Sequence, residues 1–174
     1  MRLFVALLLP DCIKIQLSQA QTHLKPLGLR GNYTTYDNMH MTLVFIGDVS
    51  IFDVEVIEHA LSDVNVTPFT LSIAQLDCFY KRSGDIWWCA IEHNLHLIKL
   101  QTQITQALND YDIAFEKRPF KPHITIARQF KAKSNTPLVL PLLEKLSVEV
   151  TSFALMESTR IKGDLVYRPI AIFD

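Results

Sequence analysis

The chain has 174 residues, of which 49% are hydrophobic and 20% are charged, and its formal net charge at pH 7 is −1. This composition is typical of a globular protein with a substantial core, and it excludes a disordered chain or a fibre. A net charge so close to zero argues against tight binding of long nucleic acids but leaves room for a short nucleotide held by a few local cations. The length suits one domain over residues 1–174, built as two intertwined lobes, and a monomer is the default expectation.

The three cysteines, Cys12, Cys78 and Cys89, lie far apart, and no C-x-x-C spacing occurs. An odd number without close pairs argues against a disulfide framework and against a structural zinc site, so we expect reduced thiols in a cytoplasmic protein. The opening stretch MRLFVALLLP is apolar but ends at Pro10 and is too short to span a membrane. It predicts a first buried strand rather than a signal peptide or a membrane anchor.

Hydrophobic spacing predicts four elements in the first part of the chain. A strand covers residues 2–9, and a helix covers residues 11–25, where apolar residues recur three and four positions apart. A loop through residues 28–38 leads to a strand over residues 40–46. The segment SIFDVEVIEHALSDV has acidic residues in its first turns and one apolar face, which predicts a helix capped by Ser50.

The second part of the chain is richer in strands. A hairpin is indicated by the segments FTLSIAQLDCFY and IWWCAIEH around the loop KRSGD. Helical spacing returns over residues 94–111, after which RPFKPHITIARQF predicts a loop that runs into a strand, and KAKSNTPLVLP a further loop. The segments SVEVTSFALMESTR and VYRPIAIF predict closing strands around a turn at residues 162–164. This order indicates an α+β fold with mostly antiparallel sheets and helices packed on one face of them.

Two segments share the pattern His-x-Thr followed by an aliphatic residue. MHMTLVFIGD contains His40 and Thr42, and FKPHITIAR contains His123 and Thr125. Each pattern begins a predicted strand after a polar loop, and a predicted helix precedes each strand, which indicates a duplicated unit with a pseudo-two-fold arrangement. Side chains two positions apart on a strand point to the same side, so each histidine shares a face with its threonine. Two such strands side by side would bring two imidazoles and two hydroxyls into one cleft.

These four side chains suit the chemistry of a phosphate ester. Displacement at phosphorus places the incoming and leaving oxygens on opposite sides, so one histidine would take a proton from water while the other protonates the leaving oxygen. Histidine suits both roles because its unperturbed pKa is about 6.5. Threonine hydroxyls would donate hydrogen bonds to the phosphate oxygens, where charge builds up in the transition state. Such a site needs no metal ion and no cofactor, and sequence symmetry leaves open which histidine is the acid.

A single His-x-Thr at the start of a strand is commonly structural, because polar residues there are often only solvated or hydrogen-bonded. The second copy is what favours a catalytic pair. The other histidines lack such a context: His23 and His59 are expected on helix surfaces, and His93 and His96 near a strand–helix junction. His93 and His96 could supply two ligands to a metal ion, but the sequence offers no evident third.

The sequence resembles the 2H phosphoesterases and, within them, the bacterial and archaeal RNA 2′,3′-cyclic phosphodiesterases, also called 2′-5′ RNA ligases. The resemblance covers nearly the whole chain. RLFVALLLP is similar to the family's opening strand, NMHMTLVFIGDV and RPFKPHITIAR to its two motifs, and ALMESTRIKGDLVYRPI to its closing hairpin. The resemblance implies a bilobal α+β fold, in which two pseudo-symmetric, mostly antiparallel sheets with flanking helices each give one motif to a central cleft.

The resemblance also implies metal-independent opening of 2′,3′-cyclic phosphate ends, on RNA or on short nucleotides, to 2′-phosphomonoesters. His40 would be the proton donor to the leaving O3′ and His123 the proton acceptor from water, with Thr42 and Thr125 on the phosphate. Arg128 matches the arginine that follows the family's second motif and would contact phosphate or base. In an ideal strand Arg128 points away from the side of His123, so a strand end or a bulge has to turn it back; otherwise it is an exposed arginine without a role.

Aromatic residues near the motifs could hold a nucleobase by stacking, although such residues lie more often in a core or at a rim. The candidates are Tyr33, Tyr36, Phe120 and Tyr167. Trp87 and Trp88 are neighbours on a predicted strand, so one ring should point inward, to pack in the core, and the other outward.

Two alternatives to the hydrolase stay open. A reversible 2′-5′ RNA ligase acting on tRNA half-molecules would share the site and would differ only in its nucleophile, a ribose 5′-OH in place of water. A binding module that senses nucleotide ends without turnover is disfavoured because both histidines are present, whereas a pure binder could use arginines and aromatic residues.

Overall fold

Nine strands and three α-helices make up the part of the chain that the computed structural model describes, residues 1–133 and 146–174. The helices are α1 (Asp11–Leu24), α2 (Val54–Ser62) and α3 (Leu95–Asp110). The strands are β1 (Arg2–Leu8), β2 (Gly28–Tyr33), β3 (His40–Asp48), β4 (Phe69–Phe79), β5 (Asp85–Ile91), β6 (His123–Ala132), β7 (Leu146–Val150), β8 (Phe153–Ile161) and β9 (Asp164–Phe173).

The strands form two separate sheets, and each sheet carries one His-x-Thr motif. The first sheet has the order β3-β1-β8-β9, and the second has the order β2-β6-β5-β4-β7. Every strand pairing within the described residues is antiparallel. The predicted α+β class with two mostly antiparallel sheets is therefore confirmed.

Both sheets and all three helices share one continuous core. All five residues from Leu3 to Leu7 of β1 are buried, as expected for a central strand that is covered on both faces. The apolar positions predicted to face the core in the helices are buried: Ile13, Leu17, Ala20, Leu24, Val54, Ile57, Ala60, Leu61, Leu97, Leu100, Ile104 and Leu108. A shared core fixes the position of the first sheet relative to the second, and with it the relative position of the two motifs.

Asn38 joins the two outer strands of the first sheet. Its buried carboxamide donates a hydrogen bond to the carbonyl of Leu165 (2.8 Å) and accepts one from the backbone amide of Tyr167 (2.9 Å), both in β9. Because Asn38 lies two residues before the start of β3, these bonds bring β3 and β9 together at one end. These bonds therefore connect the two edges of the four-stranded sheet.

Several of the predicted elements differ from the structure. The predicted loop 28–38 contains β2 and a 3₁₀ turn at Tyr36–Asn38. No residue of β2 is buried, so its sequence lacks apolar alternation, and the strand forms by pairing with β6. Ser50 caps a 3₁₀ turn at Ile51–Asp53, through a 3.3 Å bond from the amide of Phe52, and α2 begins only after that turn.

A further difference concerns SVEVTSFALMESTR, which is not one strand. It contains most of β7 and β8, which belong to different sheets, because hydrophobic alternation carries no information about a change of partner. In the segment KAKSNTPLVLP, predicted as a loop, Lys131 and Ala132 end β6, and residues 134–141 lie outside the described residues.

Candidate active site

Each motif places its polar and apolar residues on opposite sides of its strand, as the alternation predicts. His40 and Thr42 in β3, and His123 and Thr125 in β6, are partly exposed. The residues between and after them are buried in the core: Met41, Leu43, Ile124 and Ile126. The apolar side chains thus anchor both strands in the shared core while the histidines and threonines stay accessible.

His40 and His123 line two adjoining pockets that share Thr42 and Phe45, and we call these pockets the His40 arm and the His123 arm of one cleft. The His40 arm, of about 500 Å³, is lined by His40 and Arg128 among others. The His123 arm, of about 640 Å³, is lined by His123 among others. A positive charge on His123 would disfavour protonation of His40, so the two imidazoles lie within electrostatic reach of each other across the junction.

Two hydrogen bonds and two aromatic rings hold the imidazole ring of His40 in place. Its Nδ1 lies 2.7 Å from the backbone carbonyl of Asn38, and its Nε2 lies 3.0 Å from the hydroxyl of Thr42. Because a carbonyl can only accept, Nδ1 carries the hydrogen, and the Nε2 of the neutral ring accepts a hydrogen bond from the Thr42 hydroxyl. The rings of Phe4 (4.9 Å) and Tyr167 (5.0 Å, perpendicular) pack against the imidazole.

His123 is anchored by the same kind of hydrogen bond. Its Nδ1 donates a hydrogen bond to the backbone carbonyl of Lys121 at 2.6 Å. Lys121 lies two residues before His123, just as Asn38 lies two residues before His40. Phe79 and Trp88 each place a ring centroid 5.7 Å from the imidazole, and these two rings stack on each other at 4.7 Å. In both histidines, therefore, Nδ1 donates its hydrogen to a backbone carbonyl, and Nε2 is the ring nitrogen that remains available for proton transfer.

Burial favours the neutral form of both imidazoles. Desolvation is the main cause that lowers the pKa of His40 to about 4, and the positive charges of Arg128 and His123 lower it further. Desolvation followed by the charge of Arg128 also lowers the pKa of His123. An anionic phosphate in the cleft would act in the opposite direction, because a nearby negative charge favours the protonated imidazole.

A bulge in β6 brings Arg128 to the side of the motif. Trp87 and Trp88 are adjacent in β5, yet they pair with Ala127 and Thr125, so one residue of β5 faces two of β6. The extra residue reverses the alternation, and Arg128 lies in the cleft with its Nη2 3.5 Å from the hydroxyl of Thr125. Thr125 is thus connected to the cleft through Arg128.

The aromatic candidates divide into two groups. Tyr167 lines the His40 arm and Phe120 lines the His123 arm. Tyr33 and Tyr36 instead pack against lysine side chains, those of Lys25 and Lys14, with each ammonium 5.4 Å from the ring centroid.

The tryptophan pair behaves as the alternation predicts. Trp87 is buried in the core, where it meets Phe130, while Trp88 lies on the cleft side beside His123. The sequence did not single out Asn38, Phe4 or Phe79 as residues of the site. Phe4 lies on the opposite face of β1 from Leu3 and Val5, but only the pairing of β1 with β3 shows that this face adjoins a histidine.

Other chemistry has less support in the described residues. Within residues 1–133 and 146–174, no group of three or more His, Cys, Asp and Glu side chains could hold a metal ion. His23 bonds the carbonyl of Gln19 on an exposed helix face, and His59 and His96 each pack against an aromatic ring. No helix in the same described ranges has the length and hydrophobicity to cross a bilayer.

Two antiparallel sheets around a cleft, each with a His-x-Thr strand, define the class of 2H phosphoesterases. The chain belongs to the 2′-5′ RNA ligase superfamily, whose family model matches residues 17–162. It is 28% identical to the RNA 2′,3′-cyclic phosphodiesterase of Archaeoglobus fulgidus over 182 aligned positions that cover 100% of both chains. It is 29% identical to the enzyme of the same name from Escherichia coli over 170 positions, 97% of this chain and 93% of the relative.

Solved structures agree with this assignment. A crystal structure of a phosphoesterase superposes with a TM-score of 0.81 at 28% identity, covering 98% of this chain and 95% of the other. Escherichia coli LigT in complex with 3′-AMP gives a TM-score of 0.80 at 27% identity with the same coverage of 98% and 95%. LigT in complex with phosphate gives 0.76 at 26% identity, again covering 98% and 95%.

Proposed function

We propose that this protein hydrolyses the 2′,3′-cyclic phosphate ends of RNA to 2′-phosphomonoesters without a metal ion. The observation that carries the proposal is that His40 and His123, from strands of different sheets, line adjoining pockets that share Thr42 and Phe45. The relatives named RNA 2′,3′-cyclic phosphodiesterase support the substrate class. The structures of LigT with 3′-AMP and with phosphate support a nucleotide end as the ligand.

The two histidines divide the proton transfers between them. His123, neutral because burial and Arg128 lower its pKa, takes a proton from the attacking water through Nε2. The water oxygen forms a bond to phosphorus as the bond from phosphorus to O3′ breaks, and His40 gives its Nε2 proton to O3′. The product keeps its phosphate on O2′, and one proton passes back from His123 to His40 through solvent before the next turnover.

His40 must be protonated when the substrate is bound, although its pKa in the protein alone is about 4. Binding of the substrate favours the protonated form of His40, because the anionic phosphate raises the pKa of an imidazole beside it. Thr42, whose hydroxyl lies 3.0 Å from Nε2 of His40, can turn its hydrogen toward a phosphate oxygen when His40 is protonated. Thr125 and Arg128 bind the phosphate from the other strand, where the guanidinium balances the charge that develops in the transition state.

A reversible 2′-5′ RNA ligase acting on tRNA half-molecules remains the second candidate. It would use the same residues with a ribose 5′-OH as the nucleophile, which would enter beside His123 in the arm of about 640 Å³. A binder without turnover has less support, because both histidines keep Nε2 free of backbone bonds. The one domain over residues 1–174, the monomeric state and the cytoplasmic location stay predictions.

The decisive experiment is hydrolysis of a 2′,3′-cyclic nucleotide in the presence of excess chelator. We expect release of a 2′-phosphate at an unchanged rate, and a loss of activity about 10²–10⁴-fold in His40→Ala and in His123→Ala, which is the usual effect of removing a positioned acid or base. His23→Ala, which removes an exposed histidine on α1, is the matched control. Activity that disappears with chelator, or that survives in either cleft variant, would contradict the proposal.

A further inference from the structure

Three arginines line the His40 arm, in a chain whose net charge is −1. They are Arg2 from β1, Arg128 from β6 and Arg160 from β8. Among the described residues, no aspartate or glutamate lines this arm. Asp48 pairs with Arg2 across β1 and β3, but it is not among the residues of the arm. Arg128 is accounted for by the phosphate that reacts, so two guanidinium groups have no role in the mechanism described above.

The register of the first sheet places these two arginines on the side of His40, at increasing distance from it. Phe4, which packs on the ring of His40, pairs with Met156 of β8. Arg2 lies two residues from Phe4 on β1, and Arg160 lies four residues from Met156 on β8, so both side chains share the face that Phe4 presents to the cleft. The arginines therefore continue the His40 arm outward, away from the reacting phosphate.

Both guanidinium groups are positioned while remaining exposed. Arg2 lies over the ring of Phe45, with its Cζ 5.1 Å from the centroid. Arg160 donates a hydrogen bond to the carbonyl of Gly163 at 2.7 Å, in the turn between β8 and β9. Neither arginine is bonded to a carboxylate within the described residues. A positioned guanidinium with unused donors is the usual recognition group for a phosphate oxygen.

We propose that Arg2 and Arg160 form a subsite for a second phosphate, the diester that joins the terminal nucleotide to the one before it. The inference rests on the proposed function, because His40 protonates O3′ and thereby places the ribose of the cyclic end in this arm. The subsite selects oligonucleotide ends over cyclic mononucleotides, which lack the bridging diester. The enzyme is accordingly built for RNA ends rather than for free cyclic nucleotides.

Three substrates test the subsite: cytidine 2′,3′-cyclic phosphate, a dinucleotide that ends in the same cyclic cytidine, and that dinucleotide with an uncharged methylphosphonate linkage. In the wild type, we expect kcat/KM for the charged dinucleotide to exceed the other two values by about tenfold. Its logarithm should also fall more steeply with the logarithm of salt concentration, by roughly 0.7, as one extra phosphate contact requires.

The double variant Arg2→Ala/Arg160→Ala should remove the preference for the charged dinucleotide. Lys131→Ala/Lys133→Ala, which also removes two exposed positive charges, should keep it. Because the result is a ratio between substrates, a folding defect, which lowers all rates equally, does not imitate the expected change.

The outcomes separate the subsite from the proposed function. Equal rates of the wild type on all three substrates, or an unchanged preference in the arginine double variant, would overturn the subsite while leaving the hydrolase in place. A wild type that opens none of the three cyclic ends would instead refute the proposed function, and the subsite with it.

Discussion

His40 and His123 are held by the same local device, a hydrogen bond from Nδ1 to the backbone carbonyl two residues earlier. The bond needs no particular side chain at the earlier position, which is why asparagine serves in one motif and lysine in the other. It fixes the tautomer, so each ring presents Nε2 to the cleft. Each imidazole also packs against two aromatic rings, and the surroundings differ in that Nε2 of His40 is hydrogen-bonded to the hydroxyl of Thr42.

The two imidazoles should make the rate of hydrolysis depend on pH. The kcat/KM profile reports the protein without substrate, where the pKa of His40 is about 4 and that of His123 is also below its ordinary value. Since the active form needs one imidazole protonated, we expect kcat/KM to fall with rising pH from below about 6.5. The basic limb of kcat should lie at higher pH, because the bound phosphate raises the pKa of the pair.

Arg128 allows this assignment to be checked. Its positive charge lowers the pKa of both histidines, so Arg128→Gln should move the basic limb of kcat/KM to higher pH. Arg128→Lys keeps the charge and should leave the limb near its original pH, even though phosphate binding is weaker in both variants. Rates measured from pH 4 to pH 9 give the answer, and identical profiles for the Gln and Lys variants would show that the charge does not act on the pair.

At the scale of elements, Asn38 connects strand pairing to the site. Its carboxamide holds β9 through Leu165 and Tyr167, while its backbone carbonyl holds the ring of His40. One residue therefore connects the two edge strands of the first sheet and also holds the imidazole of His40 beside the ring of Tyr167. The sequence alone does not reveal the importance of such a residue, because asparagine is common in loops.

Substitution of Asn38 by aspartate should separate these two effects. The carboxylate still accepts from the amide of Tyr167 but faces the carbonyl of Leu165 without a hydrogen, so we expect a loss of about 2 kcal/mol in the free energy of unfolding. The added negative charge near His40 should also move the basic limb of kcat/KM to higher pH. Asn65→Asp, at an exposed position, is the control for urea unfolding and for the pH profile. A stability loss without a shift of the limb would leave Asn38 a purely structural residue.

The bulge in β6 depends on the hairpin between β4 and β5. Gly84 has φ +116, and a Cβ at this position would lie 2.7 Å from Cα of Gln129, the residue with φ 51 that follows Arg128. Gly84→Ala should therefore cost about 3 kcal/mol in stability and raise KM by displacing Arg128. Gly163→Ala has a comparable φ of +95 but open space, so only the backbone strain of about 1 kcal/mol should remain. Equal losses in the two variants, measured by urea unfolding, would mean that the contact with Gln129 is unimportant.

The elements show what local patterns can and cannot predict. Helix faces and the alternation around His40 and His123 follow from spacing alone, because each element must bury one side. The pairing of β2, the separation of β7 from β8 and the bulge that turns Arg128 are properties of strand partners, and no single segment records its partner. The pair of histidines that we propose as catalytic could be singled out from the repeated motif, whereas the walls and arms of the cleft could not.

For the whole molecule, the two motifs are distant in the chain and yet reach one cleft because both sheets are built on the same core. Each motif buries its alternate residues in that core, so the energy that folds the protein also aligns the histidines. This alignment has an energetic cost, because it partly removes both imidazoles from water, which solvates their protonated forms. The lowered pKa values of His40 and His123 reflect this cost. Because these pKa values differ between the folded and the unfolded chain, the free energy of unfolding depends on pH.

The last prediction is a loss of stability in mild acid that His40 causes. Unfolding returns the pKa of His40 from about 4 to its ordinary 6.5, so between these pH values the unfolded chain binds more protons than the folded protein. The contribution is fully present above pH 6.5 and is lost as the pH falls toward 4, by about 3 kcal/mol over the whole window. Urea unfolding at pH 7.5, 6 and 5 should show this fall in the wild type and a shallower one in His40→Gln, which has no titrating group. His123→Gln should flatten the curve in the same direction, and His23→Gln, at an exposed site, should leave it unchanged. Parallel curves for the wild type and His40→Gln would mean that the imidazole is solvated in the folded protein.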